Sequence, residues 1–382
     1  MILGFDIRSL FGNKTGIGVY SYNLVRSLRS LYKNDVLKLY ACSGFTGRSK
    51  ATNPFEGDPH VSLSPSLRIP TSLLHLSWSY LGLPQVESII GDVDLVHGLS
   101  YVLPRARKAK KVLTVYDLTF MLVPQTHPFS RQKFLPALVK RSVRDADAII
   151  AISESTKQDI LRVFHVPDHK VTVTYLGVDH STFNPNAPRS AIEKVKKKFS
   201  ITKNYIFYLG TIEPRKNVDI LLRAFQEVRR RTNREFQLVL SGKIGWKVEN
   251  LMKAIRALAE SGDLVYTGYI SEDEAAYLYN GAEVFVYPSQ YEGFGIPVLE
   301  AMACGCPVIA SNSSSLPEVV GDAGVLVEPN NMEELSEAIV KVLHDGGLRR
   351  ALKEKGIQRA AQFDWAKMAM ATRDLYVSLL RG

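Results

Sequence analysis

Two carboxylates, Glu292 and Glu300, flank the turn Gly293-Phe-Gly295-Ile-Pro297. Proline suits the first turn of a helix, so Glu292 falls in a loop and Glu300 about one turn into the helix. Carboxylates separated in this way can engage two sets of sugar hydroxyls at once, and a buried carboxylate is tolerated only with such partners. Satisfying a helix end would explain Glu292, but not both acids and both glycines. Upstream, the apolar run Tyr205–Leu209 ends in Gly210-Thr-Ile-Glu-Pro-Arg215-Lys216-Asn217, and a helical pattern starts straight after it. Two adjacent cations at a helix N-terminus suit a diphosphate, Arg215 bringing a bidentate fork and Lys216 a point charge. A basic loop tip is the plain alternative. Lys243, in Ser241-Gly-Lys-Ile-Gly245-Trp246 after the next run, can supply a third cation.

A further glycine-rich loop, Gly12-Asn-Lys-Thr-Gly16-Ile-Gly18, lies between the first strand-like run and a helix beginning near Val19. Glycines let backbone approach a ligand, and a helix N-terminus presents N–H groups to an anion. The spacing is neither G-x-G-x-x-G nor G-x-x-x-x-G-K-[ST], which disfavours a dinucleotide dehydrogenase and leaves a simple strand-to-helix turn as an equal reading. Two D-x-D strings, Asp92-Val-Asp94 and Asp145-Ala-Asp147, each precede an apolar run. They read as carboxylates at strand edges rather than a metal site. Cys42, Cys304 and Cys306 give no disulfide framework. Cys304-Gly-Cys306 has too few partners for zinc and reads as small residues packed at a helix end.

These groups need a scaffold. Short apolar runs alternate with amphipathic stretches along the whole chain, among them Tyr20–Tyr32, Val218–Arg230, Glu272–Asn280 and Met332–His344. The alternation predicts parallel sheets covered on both faces. Twelve runs suit two sheets of about six strands, hence an α/β protein of two doubly wound, Rossmann-like domains with ligands at the carboxyl ends of the strands. The boundary is expected near residues 183–204, where the turn-rich Phe183-Asn-Pro-Asn-Ala-Pro-Arg189 precedes a basic helical run around Lys194–Lys198. That gives an N-terminal domain over 1–185 and a C-terminal domain over 186–363, with Ala361–Leu380 helical.

The chain has 382 residues, 46% hydrophobic and 23% charged, which excludes disordered, collagen-like and disulfide-scaffold classes. No apolar run reaches the roughly 18 residues that span a bilayer. Met1-Ile-Leu-Gly-Phe-Asp6 reads as a strand rather than a signal peptide, so a cytoplasmic protein is expected. Of the net charge of +10, most falls in residues 1–185, with 22 Lys/Arg against 14 Asp/Glu. It is densest at Arg105, Arg107, Lys108, Lys110 and Lys111 and at Lys140, Arg141 and Arg144. A solvated basic face is one reading; peripheral contact with an anionic membrane or a phosphate-bearing acceptor is the other. Without interleaved aromatics the cluster does not suit nucleic acid.

Glu292 through Glu300 forms an E-x7-E motif. With Gly210-Thr211 and Arg215-Lys216 it resembles the retaining glycosyltransferases of the GT-B fold, glycosyltransferase family 4. The resemblance runs almost the whole chain, through Gly16-Ile-Gly18-Val-Tyr20, Asp94-Leu-Val-His97, Ala151-Ile-Ser-Glu-Ser155, Asn184-Pro185, Ala303-Cys-Gly-Cys-Pro-Val308 and Phe363-Asp-Trp365. It implies two domains facing across a cleft, with a last helix, about 364–382, crossing back to the N-terminal domain. It implies a nucleotide-sugar donor in the C-terminal domain and an acceptor in the N-terminal one. Arg215 and Lys216 would bind the diphosphate and offset its charge as it leaves. Glu300 would bind ribose hydroxyls and Glu292 the donor sugar, with the Phe294-Gly295-Ile296-Pro297 backbone near sugar and phosphate. Tyr269 and Ile270 would border the base, and Gly16 and Gly18 would approach the donor phosphates. Similar enzymes often carry Thr-Val-His-Asp-Leu near the donor sugar; here the segment is Thr114-Val-Tyr116-Asp117-Leu118. A phenol cannot take over a histidine's acid–base role unchanged. Asp117, His97 and Tyr116 are the sugar- or acceptor-side candidates.

The expected activity is transfer of a hexose with retention of configuration. The resemblance to bacterial mannosyltransferases, which includes the Gly242–Trp246 segment, points to mannose from GDP-mannose. The expected acceptor is a saccharide or lipid-linked saccharide in polysaccharide or O-antigen assembly. No cofactor or metal is expected, since cations and helix ends already serve a diphosphate. A UDP-sugar donor, a sugar-nucleotide epimerase of the same fold and a non-catalytic sugar-nucleotide binder are the alternatives.

Overall fold

The computed structural model describes residues 1–10, 16–41, 55–64, 69–233 and 235–381. The chain divides into two compact units, one of Met1–Pro124, Phe129–Gly177 and Trp365–Gly382, the other of Gln125–Pro128 and Val178–Asp364. Each is built on one all-parallel sheet. The first holds β1 (Ile2–Asp6), β2 (Val36–Tyr40), β3 (Val61–Leu63), β4 (Leu95–Gly98), β5 (Lys110–Val115), β6 (Ala148–Ala151) and β7 (Val171–Val173), in the order β3-β2-β1-β4-β5-β6-β7. The second holds β8 (Asn204–Leu209), β9 (Phe236–Ser241), β10 (Leu264–Gly268), β11 (Val284–Tyr287), β12 (Val308–Ser311) and β13 (Val325–Val327), in the order β10-β9-β8-β11-β12-β13.

Strands covered on both faces need apolar residues at every position. Accordingly β4, β6, β11 and β12 are buried throughout. The strand absent from the expected set is β3. Its three residues, Val61-Ser-Leu63, form no distinct apolar run, and it exists because Val61 and Leu63 pair with Leu37 and Leu39 of β2. Helices Val218–Arg231, Glu272–Gly281 and Met332–His344 follow their amphipathic patterns closely. Ser271 opens the second with a capping box, its hydroxyl accepting from Glu274 N while the Glu274 carboxylate accepts from Ser271 N. The helix expected near Val19 begins at Gly16 and runs to Leu31.

The helix expected over Ala361–Leu380 runs from Trp365 to Arg381. A helix Gly346–Ala360 ends in the second unit, and a separate helix Trp365–Arg381 packs on Gly16–Leu31 in the first. Arg373 pairs with Asp35 at 3.0 Å and lies 4.0 Å from the Tyr32 ring centre, while Asp35 also takes the Met1 ammonium at 2.8 Å. The Tyr376 hydroxyl lies 2.5 Å from Nδ1 of the fully buried His97. The units part at Gly177/Val178, ahead of the turn-rich stretch, because Phe183 is buried beside Tyr279 and Asn280 donates to the Asn184 carbonyl. No described helix is long and apolar enough to cross a membrane.

In the second sheet the chain builds outward from β8 to β9 and β10, then returns to the other side with β11. This is a topological switch point, and the loops leaving β8 and β11 emerge side by side there. Ile206 and Phe207 pair with Val284 and Phe285, so Arg215-Lys216 and Glu292, remote in sequence, leave neighbouring strand ends.

Candidate functional site

The loop after β8 is held backbone against backbone. Gly242, at φ +135°, sits so close that a Cβ there would lie 1.9 Å from the Gly210 carbonyl oxygen, and one on Gly245 would lie 2.8 Å from that of Ile212. Only glycine fits. Ile212 N donates to Lys243 O and Gly245 N to Ile212 O, fastening this loop to the one after β9. Thr211 is half-buried at the crossing. Pro214–Lys216 then forms one 3-10 turn, and Asn217, at φ 57°, turns the chain into the helix Val218–Arg231.

That turn puts two cations against the β11 loop. Lys216 Nζ lies 2.7 Å from Glu292 Oε1 and donates to the Tyr287 hydroxyl at 2.5 Å. Arg215 pairs through Nη1 with Glu292 Oε2 at 3.0 Å and through Nη2 with Glu213 Oε1 at 2.7 Å, and also donates to the Tyr291 carbonyl. Glu213, Lys216 and Glu292 are all buried. Burial pushes the Glu292 carboxyl up, but Arg215 and Lys216 outweigh it and hold it at about 2, so it is a carboxylate at every physiological pH. The four charges sum to zero, which is what permits their burial.

A run of hydroxyls that sequence reasoning passed over fixes the backbone of this loop. Glu292 N donates to Ser314 Oγ at 2.8 Å, Ser315 Oγ donates to Glu292 O at 2.9 Å, and Ser313 Oγ donates to Gln290 O at 2.9 Å. Glu213 and Tyr287 were also missed as partners of the cations. The signal for the serines was legible: Ser311-Asn-Ser-Ser-Ser315 is a polar run at the end of an apolar strand. Ser315→Ala is expected to lower transfer by about 3–10-fold, the worth of one buried hydrogen bond, while nucleoside diphosphate affinity stays within about twofold. Steady-state kinetics beside equilibrium binding checks this; equal losses in both would assign Ser315 to binding.

Glu300 sits in the helix Ile296–Ala303, which starts after Gly295 at φ 103° and carries Pro297 in its first turn. It accepts from the Tyr279 hydroxyl at 3.1 Å. Burial raises its carboxyl to about 8, so the ligand-free protein holds it protonated at neutral pH. Ile296 and Pro297 are half-buried, whereas Phe294 is buried with its ring edge toward Phe363. Lys243 Nζ stands 4.9 Å from the ring centre of the exposed Tyr269, and the next residue, Ile270, is buried. Trp246 Nε1 donates to the Thr126 carbonyl and Lys247 to those of Gln125 and His127, so this segment anchors a stretch of backbone. Cys304 and Cys306 are free and buried at the end of the Glu300 helix, Cys304 being its C-cap residue.

In the first unit two expected site residues are in the core. His97 is fully buried, with Nδ1 on Tyr376 and Nε2 2.7 Å from Thr114 Oγ1; burial lowers it to about 3, so it is neutral. Tyr116 is buried, its hydroxyl donating to the Leu99 carbonyl at 2.8 Å. Both ring nitrogens of His97 and the Tyr116 hydroxyl are thus turned onto protein partners in the core. Asp117 is half-buried and accepts from Thr119 N and Oγ1 through one oxygen, an Asx turn opening the helix Thr119–Leu122. Gly16 opens its helix with open space where a Cβ would stand, and Gly18 is buried one half-turn on. Gly12 and the loop 11–15, like Cys42, lie outside the described residues. Both D-x-D strings serve strand edges: Asp94 accepts from Ile2 N, Asp147 from Lys111 N, and Asp145 pairs with Arg105, Arg141 and Arg144. A charged group not foreseen lies at the end of β1, where Arg8 Nε donates to both oxygens of the buried Asp6 and Nη1 lies 2.9 Å from His75 Nε2.

Residues 190–359 match the family described as glycosyl transferases group 1, and residues 14–182 match glycosyltransferase family 4. The O-antigen chain mannosyltransferase B of Escherichia coli is 33% identical over 371 residues, which is 95% of this chain and 96% of that one. Among solved structures, sucrose-phosphate synthase from Thermosynechococcus elongatus superposes with a TM-score of 0.79 at 20% identity, over 100% of this chain and 99% of that one. Anabaena HepE, in complex with UDP and glucose, gives 0.75 at 19% identity over 99% and 100%. At these identities the two structures bear on the fold.

Proposed function

The chain belongs to the group 1 glycosyl transferases of glycosyltransferase family 4, and on that premise we propose that it moves mannose from GDP-mannose onto a saccharide or lipid-linked saccharide in polysaccharide or O-antigen assembly, retaining the anomeric configuration. The single observation that carries the donor site is the pair of cations, half-buried Arg215 and buried Lys216, both held by a carboxylate from the adjacent strand end. A diphosphate offers the same cations more negative charge than Glu292 does. In this reading it takes over Lys216 and Arg215 and leaves Glu292 to turn to the donor sugar's hydroxyls.

Glu300 accepts from the ribose hydroxyls and Lys243 adds charge near the phosphates, with Tyr269 and Ile270 beside the base. The acceptor hydroxyl attacks the anomeric carbon on the face the diphosphate leaves. The bond from that carbon to the phosphate oxygen breaks, and the acceptor's proton passes to the departing phosphate. Arg215 and Lys216 hold the charge that develops there. Glu292 orients the sugar without forming a bond to it. From the first unit the reading keeps Asp117 as an acceptor-side group and drops His97 and Tyr116. No metal is required, because fixed cations do the work a metal would do.

Thermal denaturation with GDP, UDP, GDP-mannose or UDP-glucose, each with and without EDTA, tests the donor. A ligand that binds the native state stabilises it by about 2.7 kcal/mol at a hundred times its Kd. GDP and GDP-mannose should give the largest shifts, unchanged by EDTA. Larger UDP shifts would replace the donor and keep the site. Loss of the shift with EDTA would restore a metal, and no shift with any nucleotide would overturn the donor site.

A further inference from the structure

The segment Thr71–Leu81 of the first unit is apolar on two sides. Leu74 and Trp78, one turn apart, are buried in a core with Tyr40, Val86, Ile90 and Val96. Leu73, Leu76, Tyr80, Leu81 and Leu83 are exposed, from 43% to 75%. A surface helix ordinarily turns polar residues to water, and large apolar side chains gathered in one short exposed stretch mark an interaction site.

This ridge is stitched to a basic loop. Arg105 Nε donates to the Trp78 carbonyl, Val86 N donates to the Arg105 carbonyl, and Glu87 Oε1 accepts from the N–H groups of Arg107, Lys108 and Ala109. The backbone of Arg107 and Lys108, both exposed, is therefore held on Glu87, four positions on from Leu83. Glu87 is the sole acidic residue from 59 to 91, and its Oε1 oxygen is turned onto backbone. The wider set of eight cations is not one uniform basic face, since Arg105, Arg141 and Arg144 converge on Asp145.

We propose that this ridge is a membrane-docking surface. Leu73, Leu76, Tyr80, Leu81 and Leu83 enter the headgroup boundary of an anionic bilayer, and Arg107 and Lys108 pair with lipid phosphates. Apolar side chains flanked by cations, with a tyrosine among them, match an interfacial element in both its solvation and its charge. A protein partner or a second copy would meet the apolar part equally well, but exposed cations whose neighbouring acid, Glu87, is turned onto backbone complement a sheet of phosphates better than a mixed-charge protein face.

The test is sedimentation of the full chain with vesicles of phosphatidylcholine alone or with about one-third phosphatidylglycerol. The chain should sediment with the anionic vesicles and stay in solution with the neutral ones. Leu81→Ser/Leu83→Ser and Arg107→Ser/Lys108→Ser should each lower the bound fraction about tenfold, the loss of two inserted side chains or two phosphate contacts. Melting temperature and nucleotide-induced stabilisation should stay as in the parent chain, which separates this surface from the donor site. Both double variants sedimenting like the parent, or the parent remaining in solution at low salt, would overturn the proposal. So would an apolar variant that turned a dimer into a monomer while vesicle binding stayed unchanged.

Discussion

Replacing Lys216 with alanine lowers transfer at least tenfold, and on the order of 10²–10³-fold if the ammonium contributes as other fixed donors at departing charges do. The protein stays folded. Glu292 keeps Arg215 as its partner, so the stability loss stays at the low end for a broken buried pair, about 1–3 kcal/mol. Affinity for the nucleoside diphosphate falls as well. Glu292→Ala should separate these effects. It abolishes most transfer, because nothing then orients the sugar, yet it keeps or tightens diphosphate binding, because the competing carboxylate is gone. Its stability loss is larger, about 3–5 kcal/mol, since the buried Lys216 loses its carboxylate while Arg215 keeps only Glu213. Kinetics, calorimetric binding and thermal melts on the two variants check the set. Near-normal transfer in either would remove these residues from the donor site.

Glu300→Gln is expected to stabilise the protein and impair it at once. The carboxyl titrates at about 8 in the folded chain, against an ordinary value of 4.5. Between those values the unfolded chain gives up a proton that the folded chain keeps, so raising the pH favours unfolding. The burden grows from about pH 4.5 to 8 and is constant above. Glutamine carries no such burden, so the variant should melt higher than the parent at pH 8–9 and close to it at pH 5. Ribose hydroxyls are better matched by a carboxylate with two accepting oxygens. In the parent, nucleotide binding should therefore strengthen from pH 6.5 to 8.5 and release a proton at pH 7, readable as a buffer-dependent heat. The variant should bind about tenfold more weakly, with the pH dependence gone. A variant that binds normally at every pH would place the ribose elsewhere.

Glu292, Glu300, Arg215 and Lys216 were legible because chemistry of this kind needs particular residue types at strand ends, and strand ends are marked by apolar runs giving way to glycine and proline. Glu213, Tyr287 and the serines were not, because their roles follow from the adjacency of β8, β11 and β12, a property of the sheet order rather than of any local spacing. The same reason hid the partners of His97 and Tyr116. A polar residue in an apolar run looks like a functional group until its partners are known, and here these are Tyr376 and Leu99. β3 escaped because three residues carry almost no periodic signal, and its partner strand supplies the rest. The exposed ridge escaped because no motif marks it, and only the fold shows that its leucines lie outside.

The helix Trp365–Arg381 has a consequence for how the protein is made. The first unit's core includes Tyr376, which reaches His97 across a separation of 279 positions, and its rim includes Arg373 on Asp35. During synthesis the ribosome must first deliver the whole of Val178–Asp364, about 190 residues, or roughly 10–40 s at ordinary elongation rates. Through that interval the nascent first unit carries an open seam with His97 and the Gly16–Leu31 face uncovered. The second unit, whose strands are contiguous in sequence, closes before it, so the half that is translated first is the half that matures last.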